Sequence, residues 1–237
     1  MILHDRPQRA LAIFAHPDDP EVACAGTLAT WTQAGTEAHL VIANAGEKGR
    51  ADPSTDGTEL AAIRRAEAEQ AAGILGLASV DFLDHPDGEL DNTSEFRTQL
   101  IAIVRSLRPD VVIAPDPTSV FFGSGYVNHH DHRALGWSIL DISGSMAGGP
   151  RYAPGAGPAH QIGTLLLAGT LEPDTWIDIA GAIDAKVGAL RCHRSQLTAG
   201  DGDDVVAALV EARAAEAGHA AGIRYAEGFR RLSFDGA

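Results

Sequence analysis

Apolar and polar positions follow two rhythms along the chain. Short apolar runs at 11–14, 39–43, 80–83, 111–114, 163–168 and 176–179 have the length of buried strands. Between them, apolar residues recur every third or fourth position, which predicts helices at 22–33, 59–75, 94–107, 133–142, 182–189 and 201–217. The helix over 59–75 takes Leu60, Ile63, Ala66, Ala71, Ile74 and Leu75 as its apolar face, leaving Arg64, Arg65, Glu67 and Glu69 as solvated charge. Pro109 stops the helix before the fourth strand, with Thr93 or Ser94 as its N-terminal cap. Residues 225–234 close the chain. Strands alternating with helices as far as residue 140 predict an α/β fold: a Rossmann-like, doubly wound, mainly parallel sheet with helices on both faces. No internal repeat or linker divides the chain, so residues 1–237 read as a single domain.

The polar residues that interrupt this pattern collect where strands end. The first run stops at Ala15-His16-Pro17-Asp18-Asp19-Pro20-Glu21, where the prolines forbid strand continuation and set φ for a helix start. His16 and Asp19 are three residues apart and can face one point. An imidazole nitrogen with a carboxylate oxygen suits Zn²⁺, and Asp18 beside them can serve as a general base. The simpler alternative makes both aspartates helix caps and His16 a loop residue. The loop after the fourth strand ends in a second cluster, Asn128-His129-His130-Asp131-His132. Either His129 or His132 can complete a His, Asp, His set with an open fourth position. Asp131 can orient His129 by accepting its second N–H. Two further loops follow strand ends: 44–57, with Glu47 and Arg50, and 84–92, with Asp87. His193 reads as a cation at a helix end.

Composition removes several function classes. The net charge is −14, from 32 acidic and 18 basic residues, with no basic cluster of the kind nucleic acids or anionic membranes require. No apolar run approaches the ~20 residues of a membrane span. The N-terminal ten residues lack the apolar core of a secretion signal, so the expected compartment is the cytoplasm. Cys24 and Cys192 make no disulfide framework.

Together, the two clusters resemble the LmbE-like (PIG-L) family of zinc-dependent N-deacetylases. Its Ala-His-Pro-Asp-Asp-x-Glu motif is matched at 15–21 and its His-x-Asp-His motif at 129–132. Gly46-Glu47-Lys48-Gly49, Asp87-Gly88, His193-Arg194-Ser195-Gln196 and Ala226-Glu227-Gly228-Phe229 add further matches. The resemblance implies one Zn²⁺ (or another divalent metal) held by His16, Asp19 and His132. It implies Asp18 as general base, His129 as the group stabilising the oxyanion or protonating the leaving amine, and Asp131 supporting the ligands from behind. It further implies Arg64 as a substrate contact. The family's Tyr two residues before the first His of the second motif is replaced here by Val127, with Tyr126 one residue away. Arg64, Asp87 and Tyr126, with Glu47 and Arg50, are the expected substrate-binding side chains. The expected reaction is hydrolysis of the amide of a small polar N-acyl substrate, an N-acetylated amino sugar, to a free amine and acetate. A natural-product amide as substrate and a non-catalytic metal-binding relative are the alternatives. The partner is that small molecule, with no nucleic acid and no membrane, and a homo-oligomer is left open.

Overall fold

The structure, a computed structural model, describes residues 1–49, 54–197 and 203–234. Arg50 and the start of the last helix at 201–202 lie outside the described residues.

In chain order the elements are β1 (Arg9–Phe14), α1 (Asp19–Ala23), α2 (Ala25–Gln33), β2 (Glu37–Ile42), α3 (Gly57–Leu75), β3 (Ser79–Phe82), α4 (Ser94–Leu107) and β4 (Val111–Pro115). A two-stranded hairpin follows, β5 (Phe121–Phe122) and β6 (Tyr126–Val127), then α5 (His130–Asp141), which runs on as one π-helical turn, Ile142–Met146. The chain ends with β7 (Thr164–Ala168), β8 (Thr175–Asp178), α6 (Ile183–Leu190), α7 (Asp203–Ala221) and β9 (Ala226–Ser233).

Seven strands form one sheet in the order β3-β2-β1-β4-β7-β9-β8. The five from β3 to β7 are mutually parallel, while β9 runs antiparallel to both β7 and β8. Strand alternation divides the core. Leu11 and Ile13 of β1 join a cluster with Leu100, Ile101 and Val104 of α4 and Leu135 and Ile139 of α5. Ala10, Ala12 and Phe14 join a second cluster with Leu28 and Trp31 of α2 and Phe229 of β9. Both faces are therefore covered, as the continuous apolar strands require.

Beyond shifts of a few residues at the ends of α5 and α7, three features depart from the sequence reading. First, the helix expected over 22–33 breaks at Cys24, whose φ of −149° is not helical. The Glu227 carboxylate of β9 receives the N–H groups of Gly26 (3.0 Å) and Thr27 (2.7 Å), so α2 begins afresh there. Second, the loop after β4 contains the β5–β6 hairpin, whose strands are too short to show a period. Third, α3 starts two residues before Glu59, because Asp56 caps it by accepting from Glu59 N–H at 2.9 Å.

The chain returns from β3 across β2 and β1 to β4, so the strand order reverses between β1 and β4. In open α/β sheets ligands bind at such a reversal, beyond the carboxyl ends of the strands. The two polar clusters follow those two strands.

Candidate active site

The apolar register of β1 ends at Phe14, and the two prolines then turn the chain so that His16, Asp18 and Asp19 lie at the sheet edge. Asp19 closes the turn by accepting the His16 backbone N–H at 2.8 Å. From the neighbouring strand end, α5 begins with His129 as its N-cap and delivers Asp131 and His132 in its first turn.

His16 Nδ1 lies 3.1 Å from His132 Nε2 and 3.4 Å from Asp19 Oδ2, and His132 Nε2 lies 3.1 Å from Asp19 Oδ1. The opposite ring nitrogens decide the tautomers. His16 Nε2 faces Asp87 Oδ1 (3.3 Å) and Asp131 Oδ2 (3.4 Å), and His132 Nδ1 faces Asn128 Oδ1 (3.0 Å). Both are acceptors, since the Asn128 amide nitrogen is used in donating to Ser119 O at 2.9 Å. His132 Nδ1 therefore keeps its proton toward Asn128 and turns Nε2 inward, while His16 Nε2 has the two carboxylates as ion-pair partners without a hydrogen bond and its Nδ1 is the nitrogen turned inward. Two imidazole nitrogens and a carboxylate converge on one point, a set of donors that a cation among them would satisfy. Their separations match the edge of about 3.3 Å in a tetrahedron with zinc–nitrogen bonds of ~2.0–2.1 Å. His16 shows the same demand for positive charge. Burial opposes its protonation, but the carboxylates of Asp19, Asp131 and Asp87 outweigh that and push its pKa up to about 12. Burial also works against ionised Asp19, yet His132 and His16 hold its pKa well below the usual range.

Two other groupings, His16 with His129 and His132, and His16 with Asp87 and Asp131, have ligand atoms within 4.8 Å of one another. Both are already committed. His129 Nδ1 accepts the Asp131 N–H at 3.2 Å. Asp131 takes the N–H groups of Gly88 (2.8 Å) and Leu90 (3.2 Å) and the Asn44 amide (3.0 Å). Against the cost of burial, His16 and the N–H groups of Gly88 and Leu90 hold its pKa at about 2. Asp131 was expected to orient His129 through its carboxylate. Instead the carboxylate backs His16, and only its backbone N–H reaches His129.

Asp18 sits beside the ligands and apart from them. Arg64 Nη2 donates to its Oδ1 at 2.9 Å. Burial and the charge on Asp19 raise its pKa, with Arg64, His193 and His16 pulling the other way. The expectation of a solvated Arg64 is overturned: the residue is 3% exposed and also donates to Gly46 O at 2.9 Å. A Cβ on Gly46 or Gly49 would lie 2.0 or 2.5 Å from Arg64 Nη1, so the loop after β2 wraps the guanidinium only because both are glycine. His193 is not a surface cation either. It is 1% exposed, with Nε2 3.1 Å from Glu21 Oε2. Glu67, also expected in solvent, is buried and accepts from Ser195 N–H (2.8 Å) and Oγ (2.6 Å). The sequence reading assigned no role to Glu21 or Asn128. The family motif containing Glu21 is the one signal that could have found it.

Of the expected substrate contacts, Asp87 is buried and accepts the Lys48 N–H at 3.0 Å as well as facing His16. Glu47 receives the Asp87 N–H at 2.8 Å and so holds that loop rather than a ligand. Tyr126 is 53% exposed at the hairpin, its ring 5.9 Å from that of Phe122. A cavity of about 360 Å³ brings His16, Asp18, Asp19, Arg64, Asp87, Tyr126, His129 and His132 together, with Lys48, Gly49 and Gly88 along its wall.

The chain is similar to known proteins in sequence and in fold. The family model described as PIG-L, GlcNAc-PI de-N-acetylase, matches residues 11–142. The chain is 32% identical to a diacetylchitobiose deacetylase of Thermococcus kodakarensis over 94% of its own length and 82% of that protein. It is 28% identical to a probable N-acetyl-α-D-glucosaminyl L-malate deacetylase of Bacillus anthracis, covering 80% and 81% of the two chains. In structure it matches the N,N'-diacetylchitobiose deacetylase of Pyrococcus horikoshii with a TM-score of 0.86 and 32% identity, over 96% of this chain and 85% of that one. With both motifs at the β1 and β4 strand ends and a family model covering more than half its length, this chain belongs to the PIG-L (LmbE-like) family.

Proposed function

We propose that residues 1–237 act as one N-deacetylase domain that hydrolyses the amide of an N-acetylglucosamine-type substrate, with a divalent metal held by His16, Asp19 and His132. The observation that carries this is the convergence of two imidazole nitrogens and one carboxylate, 3.1–3.4 Å apart, beside an aspartate held by Arg64. The names of the relatives supply the substrate class, and the nitrogen and oxygen donors favour zinc.

A zinc ion bound there supplies Lewis acidity that polarises the amide carbonyl and acidifies a water. Asp18 takes the proton as the water oxygen attacks the carbonyl carbon. Burial and the charge on Asp19 raise its pKa, which strengthens it as a base, and Arg64 fixes its orientation. Because His129 Nδ1 accepts from Asp131 N–H, its neutral ring carries the proton on Nε2. That N–H is the donor for the carbonyl oxygen as it becomes an oxyanion. The C–N bond then breaks, Asp18 returns its proton to the departing nitrogen, and acetate and the free amine leave. Of the expected substrate contacts, Tyr126, half-exposed on the cavity wall, is the one left to meet a sugar hydroxyl, since Arg64 is engaged by Asp18 and Gly46 and Asp87 by Lys48 and His16. No described helix is long and apolar enough to cross a membrane. Both cysteines are free, which suits the reducing cytoplasm.

The test is amine release from N-acetylglucosamine and diacetylchitobiose by zinc-loaded protein. Release that Asp18→Asn abolishes supports the proposal. Stoichiometric zinc without release from any N-acyl sugar or N-acyl amine would leave a metal-binding protein that is not an enzyme.

A further inference from the structure

A second cavity, of about 550 Å³, opens off the same site. It shares Asp18, Asp19, Tyr126 and His132 with the polar cavity, so the ligand cluster stands at the junction of two chambers. The chambers differ in chemistry. The first is lined by Lys48, Arg64, Asp87 and His129. The second is walled by Phe14, Val22, Ala23, Phe122 and Ala168, and Arg213 of α7 also lines it. Two of its polar members are already engaged. Asp116 Oδ1 accepts from Thr118 N–H and Oγ at 2.9 and 2.6 Å, and Asn128 bonds Ser119 and His132.

An amide is planar and almost always trans, so its two substituents leave the carbonyl in opposite directions. With the sugar on the amine side held by the polar chamber, the acyl group must leave through the junction into the apolar one. That chamber is far larger than a methyl group needs. We propose that it is an acyl-binding chamber, and that this chain hydrolyses N-acyl amino sugars with acyl chains longer than acetyl, at least as well as N-acetyl ones. The inference rests on the N-acyl hydrolase reading above. The products remain an amine and a carboxylic acid, with water as the only co-reactant. Burying a methylene is worth about 0.8 kcal/mol, so each one that fits and is held in the transition state raises kcat/KM by up to about fourfold.

One feature favours a rival occupant. Asp116 is 2% exposed and its Oδ2 has no hydrogen-bond partner in the structure, which would suit a hydroxyl of a second sugar unit. The predominantly apolar wall argues against that occupant, and the two are separable.

The experiment compares kcat/KM for N-acetyl-, N-butyryl-, N-hexanoyl- and N-octanoylglucosamine with that for diacetylchitobiose, using zinc-loaded protein. The expected result is a rise from acetyl to hexanoyl of two- to fourfold per methylene. In Ala168→Leu, which fills the chamber, and in Phe122→Ala, which removes an apolar wall from the partly exposed hairpin, the hexanoyl-to-acetyl ratio should fall by at least about tenfold. A ratio taken within one variant is independent of how much of it folds. A lower kcat/KM for butyryl and hexanoyl than for acetyl in the parent protein, with acetyl still cleaved, overturns the acyl chamber and leaves the deacetylase intact. So does a preference for diacetylchitobiose over N-acetylglucosamine that Phe122→Ala removes, since the chamber then holds the second sugar. Failure to cleave every substrate overturns the functional reading itself.

Discussion

Asp18 and Asp19 are adjacent and chemically identical, and only their neighbours separate them. Asp19 faces two imidazole nitrogens, whereas Asp18 faces the Arg64 guanidinium. Asp18→Asn should therefore lower kcat by about 10²–10⁴ while elemental analysis still finds one zinc per chain. If the metal is lost from Asp18→Asn and kept by Asp19→Asn, the two roles are exchanged. His129 calls for a different pair of variants. His129→Ala removes the donor and should cost ~10²–10³ in kcat. His129→Gln keeps an N–H and should recover part of that loss, an outcome that a purely structural role for His129 would not give. These residues were legible in the sequence because residue type, spacing and a strand end coincide within a few positions. Arg64 and His193 were not. Each looks like an ordinary helix or helix-end charge, and each is buried by groups far away in the chain: Gly46 and Gly49 for one, Glu21 for the other.

Among the elements, the parallel strands were the most readable, because strands covered on both faces are continuously apolar. What escaped depended on contacts across the sheet. The break between α1 and α2 has no local cause, since it follows from the Glu227 carboxylate arriving from β9. The loop after β2 also takes its shape from a distant partner. Gly46 has φ +66°, open to glycine at little cost, and its missing Cβ admits Arg64. Gly46→Ala should thus do two things. It should destabilise the fold by roughly 1–3 kcal/mol, as forcing a side chain into an unfavourable backbone region does, measured by urea unfolding. It should also lower kcat by releasing Asp18 from Arg64, and Arg64→Ala should reproduce that loss. Full activity in a folded Gly46→Ala protein would show that Arg64 need not hold Asp18.

Across the whole molecule, the sheet brings together charges that local sequence keeps apart, and two consequences can be measured. The first is at the metal site. His16, with its pKa pushed up to about 12 by surrounding carboxylates, is protonated at neutral pH in protein stripped of metal. Ligation requires the Nδ1 lone pair, so metal uptake must expel that proton. Calorimetric titration with zinc in buffers of different ionisation enthalpy should report about one proton released per ion. The apparent affinity should then strengthen about tenfold per pH unit between pH 6 and 8, from this proton alone. An affinity independent of pH over that range would mean that His16 is already neutral in the metal-free protein. The second is remote from the metal. Glu227 of β9 pairs with Lys186 of α6 at 2.5 Å, both side chains buried, while the same carboxylate caps α2 and Lys186 also donates to Val22 O at 2.9 Å. Four elements, α1 and α2 from one end of the chain and α6 and β9 from the other, meet on this one ion pair. Removing one partner of a buried pair strands the other charge, so Glu227→Gln and Lys186→Met should each cost about 3–5 kcal/mol in urea unfolding. The double variant Lys186→Met/Glu227→Leu strands no charge, and an isolated pair would recover most of the loss. Here it should recover only in part, because the N–H groups of Gly26 and Thr27 still lose their acceptor, worth about 0.5–2 kcal/mol for a helix cap. Complete recovery would mean that Glu227 contributes only its charge and that α2 starts at Ala25 for some other reason.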